Sequence, residues 1–79
     1  SNQFRRCQIN SLRDRETAIG RLIFSLKIEP SGKVSEANVV SRTRAAQTLQ
    51  SCVRDVILRT TFQPFESQAI LIQYPIDFE

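Results

Sequence analysis

The side chains that could do chemistry in this chain are few, and they are scattered. Two cysteines, Cys7 and Cys52, stand far apart, and there is no histidine at all. Without histidine there is no Ser-His-Asp or Cys-His machinery, and two distant thiols alone do not make a zinc site. The carboxylates Glu29, Glu36, Asp55 and Asp77 fall on different segments, so no pair suggests general acid–base work. With only Gly20 and Gly32, a glycine-rich phosphate loop is excluded. These residues point away from an enzyme and require no cofactor or metal. Cys52 itself reads in three ways: a small buried thiol on a core stripe, one half of a staple with Cys7, or a redox or metal thiol.

The elements that must position these residues can be read from periodicity. In 20-GRLIFSLKIE-29, Leu22, Phe24, Leu26 and Ile28 share one face, a period of two that predicts a half-buried strand. The following 30-PSGK-33 has the proline and glycine of a hairpin turn. A weaker, more polar strand is expected over 34-VSEANVV-40. Then Leu49, Cys52, Val53, Val56 and Ile57 make one helical stripe, so a helix is expected over 45–59, capped by Ser41 or Thr43. Two threonines and Pro64 stop it near Thr60. Period two returns in 69-AILIQYPIDFE-79, with Ile70, Ile72, Tyr74, Ile76 and Phe78 expected on the buried face. Ahead of all this, a short helix is expected around Phe4–Leu12 and a solvated turn at 13-RDRE-16.

A helix between the second and third strands makes those two parallel. The first strand is the most apolar, so it belongs in the middle, antiparallel to both. The expected fold is thus α+β: a small three-stranded antiparallel/mixed sheet of order 2-1-3 with a β-β-α-β core. One helix packs on a face, and a short N-terminal helix precedes the sheet. Residues 1–79 are expected to form a single domain. The last strand is an edge, and Pro75 agrees with that, because proline cannot donate to a ladder.

Three stretches in this order resemble a known family. The run 20-GRLIFSLKIEPSGKVSEANVV-40 resembles the G-x-V-x-V-x-F-x-I-x-x-x-G-x-V hairpin of TonB carboxy-terminal domains. The run 49-LQSCVRDVILRTTFQPF-65 resembles their L-x-x-C-V-x-x-x-[IL]-x-x-x-x-F-x-P helix, and 74-YPIDF-78 their closing Y-P-[IFL]-x-F. The last two motifs point to the AgmX/PglI-type branch, in which a cysteine upstream of the first strand accompanies the helix cysteine. Cys7 and Cys52 occupy those places. The likeness covers residues 4–79. It departs at 41-SRT-43, where ordinary members often have S-S-G, and in lacking the Y-P that opens their first helix.

The resemblance implies a periplasmic protein–protein interaction domain, the C-terminal part of an inner-membrane-anchored energy transducer. Its partner would be an extended peptide of an outer-membrane receptor or other envelope protein. The inner-membrane proton-driven motor would be reached through an upstream region, and the branch is linked to gliding and other envelope machinery. The abrupt start at Ser1 and Asn2 leads us to expect a piece of a longer chain, with the anchor upstream. A Cys7–Cys52 disulfide is expected with the resemblance. It would close about 45 residues and stabilise by about 4 kcal/mol in the chain-entropy model, which suits an oxidising compartment.

The physical basis of strand addition is an edge with unpaired N–H and C=O groups. The expected partner-binding residues are Gln68, Ala69, Ile70, Leu71, Ile72, Gln73 and Tyr74. The same open edge is prone to self-pairing, so a homodimer is the alternative. The arginines Arg5, Arg6, Arg13, Arg15, Arg42, Arg44, Arg54 and Arg59 read first as solvated surface and second as a patch for an acidic partner, anionic lipid or envelope polymer. Nucleic acid is not expected: net charge is only +3, and the aromatics fall mostly on core faces.

Overall fold

A computed structural model describes residues 2–13, 19–43 and 47–78. The element order is α1 (Asn2–Arg13), β1 (Gly20–Ile28), β2 (Val34–Thr43), α2 (Gln47–Arg59) and β3 (Ile70–Phe78). The three strands form one sheet of order β2-β1-β3, and β1 is antiparallel to both neighbours. This is the expected α+β architecture. The turn 13-RDRE-16 falls largely outside the described residues, as do Arg15 and Arg44.

β1 forms where the alternation is cleanest. Leu22, Phe24, Leu26 and Ile28 are buried. Leu49, Val53, Val56 and Ile57 of α2 join the same core, three or four residues apart on one helical face. The face of α1 that packs inward carries Phe4, Cys7 and Ser11, while Ile9 and Leu12 point to solvent. Burial of a serine there was not legible from hydropathy.

β2 differs from expectation in length and in regularity. It runs on to Thr43, and its register against β1 slips twice: Val40 has no partner between Ile23↔Ser41 and Phe24↔Val39, and Ser35 has none between Lys27↔Glu36 and Ile28↔Val34. Such bulges bend a strand and disturb the alternation of its side chains. The expected capping role of Ser41 or Thr43 is not what the structure gives. Both lie in β2, and the Thr43 hydroxyl accepts a hydrogen bond from the Arg21 N–H at 3.0 Å. A threonine hydroxyl serves a strand end as readily as a helix start, so the residue type could not decide between them.

The segment leaving α2 folds back onto the hairpin turn. Thr60 closes the helix, its N–H on the Ile57 carbonyl and its hydroxyl on the Val56 carbonyl. The Phe62 N–H then donates to Gly32 C=O at 2.7 Å, and the Phe65 N–H to Pro30 C=O at 3.0 Å. Gly32 has a φ of +91°, which L side chains rarely adopt.

Candidate functional site: the free edge of β3

Which backbone groups an edge offers follows from the alternation along its neighbour. On β1, the Arg21 N–H and the Lys27 C=O bond to side chains of β2, and the Glu29 N–H bonds to Lys33 C=O across the hairpin. Odd-numbered residues of β1 therefore address β2, and even-numbered ones address β3. Leu22↔Ile76, Phe24↔Tyr74, Leu26↔Ile72 and Ile28↔Ile70 are then the hydrogen-bonded pairs. It follows that Leu71, Gln73, Pro75 and Asp77 turn their backbone groups to the open side. Pro75 contributes only a carbonyl there. Its missing N–H costs the sheet nothing, which is why proline is tolerated at this position.

The opposite edge is occupied. Ser25↔Asn38 and Lys27↔Glu36 direct Asn38 and Glu36 toward β1 and leave Ala37 facing out. The Ala37 carbonyl accepts from Arg54 Nε at 2.8 Å, a cap supplied by α2. Arg42 of the same strand donates to Gln50 Oε1 of α2. With two bulges as well, β2 is a poor template for a further strand. β3 carries neither device among the described residues.

The burial of β3 is graded rather than alternate. Ile76 and Phe78 are buried as expected, Ile72 and Tyr74 are half-buried, and Ile70 is 41% exposed. The expectation of one buried face from Ile70 to Phe78 is thus corrected for the leading end, which runs beyond the helical cover. Leu71, on the other face, is 73% exposed. Of the seven expected contact residues, Gln68 and Ala69 precede the strand, Ile70, Ile72 and Tyr74 spend their backbone groups on β1, and Leu71 and Gln73 face out. Beside Tyr74, a cleft of about 110 Å³ is lined by Phe4, Ile57, Thr60, Phe62 and Tyr74, all but Thr60 apolar or aromatic. Phe4 covers Tyr74 at a ring-centroid distance of 6.4 Å. Neither this cleft nor the Arg54 cap was visible in the sequence, since each joins residues distant in the chain.

The far end of β3 is pinned by an ion pair. Arg21 donates from Nε and Nη2 to the two carboxylate oxygens of Asp77, at 2.7 and 3.2 Å, across the Arg21↔Asp77 register position. The hydrogen bonds from Arg21 hold the Asp77 carboxyl below its ordinary value of 3.8; partial loss of hydration opposes them and charge attraction adds to them. A depressed carboxylate contributes stability above its unfolded pKa, and loses it as pH falls through the lower folded pKa. Both groups are exposed, so the contribution is small. Carboxyl NMR should place the Asp77 midpoint below 3.8, and Arg21→Ala should return it toward that value. A midpoint that ignores the Arg21 substitution would mean the pair is open in solution.

Cys7 and Cys52 are disulfide-bonded, with Cα atoms 5.6 Å apart. The bridge joins α1 to α2. Among the described residues, no cluster of histidine, cysteine, aspartate or glutamate could hold a metal ion, and no helix is long and apolar enough to cross a membrane.

Comparisons with protein-family models, curated proteins and solved structures return no match.

Proposed function

We propose that this domain is a protein–protein interaction module that captures an extended peptide by strand addition on β3. The observation that carries the reading is the asymmetry of the two edges: β2 is capped by Arg54 and bulged, whereas among the described residues nothing caps the ladder of Leu71, Gln73 and Pro75. Backbone bonds supply affinity in this mode, and pockets for alternate side chains supply choice. The cleft beside Tyr74 lies on the helical side of the sheet and suits one aliphatic side chain of the guest.

The likeness to TonB carboxy-terminal domains of the AgmX/PglI type supports a specific setting. The domain would work in the periplasm as the end of an inner-membrane-anchored energy transducer, and take its peptide from an outer-membrane or envelope protein. The Cys7–Cys52 disulfide is in keeping with an oxidising compartment. No catalytic step is part of this reading.

An amide NMR titration of the oxidised domain with extended peptides from outer-membrane protein amino termini tests it. Shifts should concentrate on residues 70–76. Gln73→Pro removes one outward N–H without touching a bond to β1, and should weaken binding about tenfold or more. Undiminished binding by that variant would rule out strand addition at this edge.

A second reading is self-association through the same strand, favoured by Leu71 at 73% exposure beside the open ladder. Light scattering separates the two. A persistent dimer that loses its partner on Gln73→Pro is the signature of edge pairing between copies.

A further inference from the structure

Charge is not spread evenly over this fold. The two helices carry five arginines (Arg5, Arg6, Arg13, Arg54 and Arg59) against one acid, Asp55, a net +4. The whole chain is only +3, so everything outside the helices is slightly acidic. Arg54 is committed to the Ala37 carbonyl. Among the described residues the only ion pair is Arg21–Asp77, which leaves the helix arginines without acidic partners there.

Two of these arginines face one groove. On α1, Gln3, Arg6, Cys7 and Asn10 recur at helical spacing, and on α2 so do Cys52, Val56 and Arg59. Together they line a groove of about 520 Å³ between the helices. The disulfide and Val56 supply its apolar part. Arg6 and Arg59 come from the two helices that bound it, accompanied by the side-chain amides of Gln3 and Asn10. Gln3 lies in the first turn of α1, which carries no acidic side chain.

We propose that this inter-helix groove docks an acidic segment of a protein partner, with carboxylates held by Arg6 and Arg59. The planar guanidinium fork matches a carboxylate in two parallel hydrogen bonds. The amides of Gln3 and Asn10 both donate and accept, which suits the peptide groups between the carboxylates. A groove with a cation from each bounding helix fits a narrow chain better than a flat lipid surface. A membrane would instead meet the outer side of α1, where Ile9 and Leu12 are exposed. The site is separate from the β3 edge and does not depend on strand addition.

The test is an amide titration of the oxidised domain with a peptide of alternating glutamate and serine, beside a matched peptide with glutamine for glutamate. The acidic peptide should move Arg6, Asn10, Val56 and Arg59 and leave residues 71–75 in place, and the glutamine peptide should be silent. The double variant R6E/R59E should bind about tenfold more weakly, while R6K/R59K, which keeps the charge but loses the paired hydrogen bonds, should fall between it and the parent. Both arginines are exposed, so the fold should tolerate these changes, and the variants' free spectra check that. Equal binding by R6E/R59E, or shifts away from the groove, would overturn the proposal. So would phosphatidylglycerol vesicles that shift Ile9 and Leu12 when the acidic peptide shifts nothing. Failure of edge-binding peptides would leave this result untouched, because the two sites report through different amides.

Discussion

Replacing Cys7 and Cys52 together by alanine is expected to lower stability by about 4 kcal/mol, the chain-entropy value for a closed loop of this length. The bridge spans a sequence separation of 45, so the unfolded chain gains much freedom when it is cut. A domain of this size has about 4–12 kcal/mol of stability in all. The loss is therefore a third of the total or more. It falls on α1 first. That helix packs mainly against α2, and its buried side chains among the described residues are Cys7 itself and the small Ser11. Urea unfolding followed with and without reductant checks this. Coincident midpoints would show that packing alone holds α1 in place.

Gly32→Ala is the second large effect, expected at about 3 kcal/mol, a fall in melting temperature of more than about 10 °C. Two causes act together. The φ of +91° strains any residue with a Cβ. The new Cβ would also sit 1.9 Å from the Phe62 carbonyl oxygen, a backbone atom that cannot rotate away. Relief means pushing the segment after α2 off the turn, which breaks the Phe62–Gly32 hydrogen bond and strains the Phe65–Pro30 bond. That segment leads directly into β3, so the variant should also lose edge binding before it unfolds. Ser31→Ala, one residue away and exposed, serves as the control. Equal melting temperatures for the two variants would contradict the tight contact.

What the sequence made legible were the elements with a clean period. The alternation of Leu22, Phe24, Leu26 and Ile28 fixed both the strand and its central place, because a middle strand buries its face along its whole length. The stripe from Leu49 to Ile57 fixed α2 equally well. β3 was legible as a strand but not in its depth of burial. Periodicity reports which face a side chain takes, and not how far the helices above it reach. For the same reason Ile70 was expected inside and is 41% exposed. The bulges at Ser35 and Val40 leave no mark in a polar strand, since no interrupted apolar pattern reveals them. The features that decide between the two edges were hidden most completely. Arg54 reads as one more surface cation until its Nε is seen on the Ala37 carbonyl, 17 residues back.

The disulfide also determines how tension runs through the molecule. A pull applied ahead of Cys7 does not pass along the chain through the hairpin. It crosses the sulfur bridge to Cys52 in the middle of α2, and from there the backbone reaches β3 through the segment laced to the turn. β1 and β2 lie inside the closed loop, off the covalent path of the pull. A domain oxidised in this way can release about 150 Å less length than its reduced form when stretched to the limit, since each residue in the loop contributes about 3.4 Å. A guest strand lying along β3 would then be held by a linkage that hardly lengthens.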